Sequence, residues 1–222
     1  MGADLSGHGM YDMDLSSCNL SNAVLGGCNL CCTNITGCKT EGIVLEGASL
    51  NLVAGLTEGV LRGAKSLKKV SLVNFDMRRY NLSELDLSGA HFVGCKMAHC
   101  ILNDTSLRDS RIERCDFSHS SLNGVDFSGS VMRHSDLYSV DLTTADLSGA
   151  SWDSTNSPKS VPLDASRIRG ARLALDLKPT WTSSSLRSAS WSHGSSRTPH
   201  CVVPMVLNLR WFIDVEGASV VQ

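Results

Sequence analysis

The chain has 222 residues, a formal net charge of −2, 42% apolar residues and 5% aromatic ones. So balanced a charge leaves no broad electrostatic footprint for nucleic acid. No apolar run reaches transmembrane length and no basic stretch with an apolar core opens the chain, so a soluble, cytoplasmic protein is expected.

From Met1 to Asn51 an apolar residue returns at every fifth position: Leu5, Met10, Leu15, Leu20, Leu25, Leu30, Ile35, Leu45 and Leu50, with Thr40 the one polar centre. The pattern starts so close to residue one that the first coil is expected to fray, to be covered by another chain, or to continue a longer protein. Between Leu52 and Leu67 the frame slips, with centres passing through Leu56, Leu61 and Leu67. Two one-residue insertions at corners would explain the slip, as a kink in one continuous unit, since no Pro or polar linker marks a boundary.

From Val70 to Trp152 the period is unbroken: Leu72, Met77, Leu82, Leu87, Phe92, Met97, Leu102, Leu107, Ile112, Phe117, Leu122, Phe127, Met132, Leu137, Leu142, Leu147, Trp152. Two residues before most centres stands a small residue, among them Ala90, Cys95, Cys100, Thr105, Ser110, Cys115 and Val125. A step of five scatters side chains round a helix and flips the face of a flat strand. It suits a chain that turns a corner every five residues, so that four sides close one coil of 20 and coils stack at about 4.8 Å. Stacking predicts inward columns such as Leu82, Leu102, Leu122, Leu142 and Leu87, Leu107, Phe127, Leu147. The repeat unit is therefore placed at 1–155, a rod about 35 Å long.

After Asp153, Ser154 to Pro158 reads as a terminator and 156–222 as an irregular, Ser-rich tail. A short helix is expected over Asp164 to Leu177, disorder over Thr180 to Pro199, and a capping strand or hairpin over Cys201 to Val215. The tail carries 8 Lys+Arg against 4 Asp+Glu, and the preceding region 12 against 18, so a basic tail follows an acidic rod.

Ala3-Asp4-Leu5-Ser6-Gly7, Val125-Asp126-Phe127-Ser128-Gly129 and Ala145-Asp146-Leu147-Ser148-Gly149 resemble the A(D/N)LxG unit of pentapeptide-repeat proteins. The resemblance covers about two-thirds of the chain. It implies an all-β fold, a right-handed quadrilateral β-helix with the central residue and the small residue two before it both inward. Because such a repeat serves unrelated activities, it implies architecture more than function.

No nucleophile elbow, phosphate loop or carboxylate pair beside a pocket is present, so no catalytic residue and no cofactor is assigned. Of the nine cysteines, Cys18, Cys28, Cys38, Cys95, Cys100 and Cys115 fall at the small inward position, which suits reduced thiols. Cys28, Cys31, Cys32 and Cys38 have zinc-like spacing, but in the repeat frame they point to different sides and cannot converge. Lys96 and Asp116, and Glu113 and Arg133, stack one coil apart as candidate surface pairs.

His99 and His119 share one frame position a coil apart, with Arg79 a coil earlier. Together with Arg111, Arg114 and Trp211 they are the candidate protein-interaction residues. The function expected is a non-enzymatic scaffold or adaptor presenting flat faces to a protein partner, with neither nucleic acid nor membrane as partner. Two alternatives stand beside it. One, implied by resemblance to quinolone-resistance pentapeptide proteins, is a DNA mimic acting on a topoisomerase such as DNA gyrase. The other is a protein targeted to a membrane surface through acylation at Gly2 and the basic tail.

Overall fold

A computed structural model describes residues 2–156, 167, 169–176, 211–214 and 219–221. Its unit is a five-residue corner. The residue before the apolar centre is commonly Asp or Asn, whose Oδ1 accepts the backbone N–H two residues on. Asp4 takes it from Ser6 (3.0 Å), Asp116 from Ser118 (2.9 Å) and Asp146 from Ser148 (2.9 Å). Such an Asx turn bends the chain locally. Two residues after the centre the backbone is left-handed, with φ 69° at Gly7 and 67° at Gly129, but also 59° at His99 and 57° at Asp104. The next N–H returns to the centre's carbonyl, as from Thr105 to Leu102 (3.1 Å). Asp bends, Leu fills the core and Gly relieves the left-handed corner, so the five-letter motif is a recipe for one turn.

Corners stack in parallel with a 20-residue offset: Asp4 on Val24, Gly9 on Asn29, Asp14 on Asn34, Asn19 on Lys39. Four bridges per coil make a four-sided parallel β-solenoid. In the second block the first side carries Asp76, Lys96, Asp116 and Asp136; the second, Asn81, Ile101 and Ser121; the third, Asp86, Ser106, Asp126 and Asp146. The fourth side is a true ladder of strands: β1 (Ser71–Val73), β2 (His91–Val93), β3 (Arg111–Glu113), β4 (Val131–Arg133) and β5 (Ser151–Asn156), each paired parallel to the next.

The interior is solid. Leu82, Leu102, Leu122 and Leu142 form one buried column and Leu87, Leu107, Phe127 and Leu147 another, none more than 3% exposed. Each buried Leu contributes about 1.5–3 kcal/mol. Trp152 closes the stack edge-on to Phe127 (5.1 Å between ring centroids) and donates its indole N–H to Ser130 Oγ (3.0 Å). Several polar small residues inside find a carbonyl on the preceding coil, whereas the buried Ser110 Oγ has no hydrogen-bond partner among the described residues. Thr105 Oγ1 donates to Leu82 O (2.8 Å), Ser120 Oγ to Met97 O (2.7 Å) and Cys100 Sγ to Met77 O (2.9 Å). A satisfied hydroxyl or thiol removes the penalty of burying it.

The frame slip is a helix, not two corner insertions. Val44 stacks on Ser66, two residues beyond the usual offset, and the excess is taken up by α1 (Glu58–Gly63) in place of the second side of that coil. Thr57 caps it, its side chain accepting from Val60 N–H, with Glu58 in the first turn and Arg62 in the last. Leu56, Leu61 and Leu67 remain buried, so the core is continuous. A helix cannot offer sideways N–H groups to the next coil, and Arg62 supplies substitutes. Its Nη1 donates to Asn81 O (3.0 Å) and Ser83 O (3.3 Å). One coil on, the equivalent carbonyls of Ile101 and Asn103 take backbone N–H from Leu82 and Glu84. One guanidinium thus replaces two ladder donors.

Beyond β5 the sheet continues. β6 (Arg172–Asp176) lies inside the stretch where a helix was expected and pairs parallel with β5, with a register shift between Trp152 and Thr155. Leu173 and Leu175 alternate in sequence, the period of a strand, and β5 offers an open edge for pairing. Within the Cys201 to Val215 stretch, β7 (Trp211–Asp214) pairs antiparallel with β6 and with β8 (Ser219–Val221). The disorder expected over Thr180 to Pro199 lies outside the described residues. No helix among them is long and apolar enough to cross a membrane.

Candidate interaction edge

The left-handed corner position governs where the candidate side chains stand. Arg79 (φ 68°), His99 (59°) and His119 (59°) all occupy it at the edge between the first and second sides, and all three are exposed. Their backbone N–H groups are tied one coil on, to Ala98, Ser118 and Tyr138 carbonyls at 3.1, 3.0 and 2.9 Å. The ladder holds the stems fixed, so the rings stack. The His99 and His119 imidazoles are parallel within 8° at 5.1 Å between centroids. Tyr138 meets the His119 ring edge-on at 5.4 Å and is 48% exposed.

Beside this column the first side is charged and ordered. Arg78 forks onto Asp76, Nη2 to Oδ2 at 2.6 Å and Nε to Oδ1 at 2.9 Å. That bond holds the Asp76 carboxyl well below its ordinary value, at about 2. On the other flank Ile101 is 42% exposed. Phe75 and Tyr80 pack edge-to-face at 6.5 Å, and burial raises the Tyr80 phenol.

The remaining candidates are elsewhere. Arg111 lies in β3 on the fourth side and Arg114 at the left-handed corner leaving it (φ 53°), both exposed but separated from the His column by the breadth of the first side. Trp211 falls in β7, its side chain outside the described residues. The candidates therefore form two edges and not one patch. Tyr138 and Ile101 were not singled out in the sequence, although both follow from the same frame. Tyr138 is one residue short of the position a coil above His119, and Ile101 stands two residues past His99.

The surface pairs behave differently from expectation. Lys96 and Asp116, and Glu113 and Arg133, are in register, yet neither forms an ion pair among the described residues. Lys68 instead reaches Asp86 (3.0 Å), and Arg108 lies near its neighbour Asp109 (3.5 Å). The zinc-spaced cysteines diverge. Cys28 and Cys38 donate inward to Leu5 and Leu15 carbonyls (2.9 Å each), while Cys31 Sγ lies against Ser49 Oγ (3.1 Å). A shallow groove of about 110 Å³ beside α1 is lined by Ala64, Lys65, Ser66, Leu67, Lys68, Leu85 and Asp86.

The family profile described as pentapeptide repeats matches residues 10–47, 66–104, 76–114 and 110–149, in eight copies. No curated protein matches the chain. Among solved structures the chain is similar to HetL, a pentapeptide repeat protein involved in heterocyst differentiation regulation from the cyanobacterium Nostoc sp. strain PCC 7120. Identity is 21%, coverage 76% of this chain and 86% of that one, and the TM-score 0.39. It is also similar to QnrB1, a plasmid-mediated fluoroquinolone resistance protein (13% identity, 78% and 94% coverage, TM-score 0.28). A third is a pentapeptide repeat protein from the Arabidopsis thaliana thylakoid lumen (20% identity, 56% and 76% coverage, TM-score 0.27).

Proposed function

The chain belongs to the pentapeptide-repeat family, and on that premise we propose that it is a non-enzymatic scaffold engaging a protein partner along the edge of Arg79, His99, His119 and Tyr138. The observation that carries this reading is the exposed column of stacked rings on that edge. Arg and aromatic side chains are the residue types enriched in interface anchors. Here they are held by a hydrogen-bonded ladder, so little ordering entropy remains to be lost on binding. The filled interior favours recognition over catalysis, since centres from Leu72 to Trp152 are at most 3% exposed and leave no room for an enclosed substrate.

Replacing His99 by a photo-crosslinking residue, and separately Thr143 on the second side, tests the assignment in native cells. A discrete adduct from position 99 and none from 143 is expected. Equal labelling from both, or none from 99, overturns it.

The DNA-mimic alternative needs an uninterrupted acidic surface. The third side carries Asp86, Asp126 and Asp146, but Lys68 pairs with Asp86, and Arg108 stands beside Asp109 on the same side. No inhibition of gyrase supercoiling at micromolar protein is expected.

A further inference from the structure

The corner leaving the fourth side differs from the others. After β1, β2 and β3 no N–H returns to the centre's carbonyl among the described residues, whereas the other corners of the same coils carry such bonds, such as Cys100 N–H to Met97 O (3.2 Å). Into this open corner point Cys95 and Cys115, at the small inward position of successive coils. Cys95 Sγ donates to Leu72 O (3.3 Å), in place of the missing turn bond. The two strands are tied beside them by Asp116 N–H to Cys95 O (3.0 Å) and by the bridge between Lys96 and Asp116. Cys115 Sγ donates to Glu113 O (3.4 Å) at the same corner of the next coil.

We propose that Cys95 and Cys115 are a redox pair, which a peroxide converts to a disulfide joining two successive coils. Adjacent paired strands stand about 4.8 Å apart, inside the span of about 4.4–6.8 Å over which a disulfide joins two Cα atoms. The asymmetry of the pair favours Cys95 as the attacking thiol. The neighbouring Cys115 thiol lowers Cys95 from its ordinary value, while the Cys95 thiol and burial raise Cys115. Cys95 thiolate attacks the peroxide O–O bond, giving Cys95 sulfenic acid and hydroxide. Cys115 then attacks that sulfur, its proton leaving with the hydroxyl as water. Two thiols and one hydrogen peroxide thus give one disulfide and two waters. Cys100, one corner along, is pushed up to about 11 by burial and has no partner cysteine in its column, where Ser120 follows.

Burial sharpens the prediction. Cys95 is 1% and Cys115 2% exposed, out of reach of bulky thiol reagents, whereas hydrogen peroxide is close to water in size. The test is dilute hydrogen peroxide on the full chain, then alkylation of residual thiols in denaturant and peptide mass mapping. A Cys95–Cys115 cross-linked peptide, lighter by two hydrogens and restored by dithiothreitol, is expected, together with a higher melting temperature. In Cys115→Ser the cross-link should vanish and Cys95 sulfenic acid become trappable by dimedone. Ser110, Ser120 and Ser135 already occupy the equivalent inward position, so this variant keeps its fold. Recovery of Cys95 and Cys115 as free thiols while exposed Cys18 is oxidised overturns the proposal, as does a different pairing partner for either.

Discussion

The fourth side is built differently in the two halves of the solenoid. In the N-terminal half Gly9, Asn29 and Ser49 make isolated bridges there, and turn bonds close the corners from Met13 to Met10, Thr33 to Leu30 and Val53 to Leu50. In the second half the same side widens into three-residue strands, and among the described residues the turn bonds are gone. The residue before the centre explains the tight corner at Asn29, whereas Gly9 and Ser49 close theirs without an Asx turn. Asn29 accepts Cys31 N–H in an Asx turn, whereas Ser71, His91, Arg111 and Val131 form no such turn. β-Branched Val73, Val93, Ile112 and Val131 favour extension instead.

The largest effect that separates the halves should come from the core. Phe127→Ala, at 0% exposure, should cost about 3–5 kcal/mol in urea unfolding, and half-buried Leu15→Ala about 1–2 kcal/mol. Equal losses would mean that the two halves are packed alike. At the join, Arg62→Ala should cost about 1–2 kcal/mol by stripping Asn81 and Ser83 carbonyls of their donor. Because both acceptors are neutral, the loss should barely change with added salt.

A smaller effect of opposite sign belongs to Leu52. It sits at φ 57°, 70% exposed, in the corner position that Gly94 fills in the other half. Leu52→Gly should raise stability by about 1 kcal/mol, read as a higher urea midpoint. Last comes acid. Asp14 and Asp76 stand on the first side of the two halves, both with lowered carboxyls, but only Asp76 has the Arg78 fork. A depressed folded value stabilises above the ordinary carboxylate pKa and is lost as pH falls toward about 2. Asp76→Asn should therefore lower the neutral plateau of a pH titration of stability more than Asp14→Asn does, and so flatten the acid limb, with the variant converging on the parent chain as pH falls through about 2.

Much of this was legible from the chain. A period of five allows few solutions, and the frame that placed Leu102 over Leu82 also placed His119 over His99. The helix was legible too, in Thr57 as N-cap, Glu58 in the first turn and Arg62 in the last, but the surviving Leu56, Leu61 and Leu67 spacing masked it. β6 was missed because Arg172 to Asp176 pairs by backbone on the open edge of β5 and carries no five-residue signal. Nor could spacing reveal Arg62 as a substitute donor. That role exists only because a helix withdraws the N–H groups its neighbour's carbonyls require.

The α1 coil has a mechanical meaning as well. Four columns of hydrogen bonds run along the rod like the legs of a tower. At α1 the third and fourth keep their backbone bridges, Val44 to Ser66 and Ser49 to Ser71, whereas among the described residues the first has none between Ala54 and Asp76 and Arg62 ties the second. Bending that opens the first and second sides meets its least resistance there. The rod has a compliant joint at about one-third of its length, with a direction built in, and Arg62 sets its stiffness.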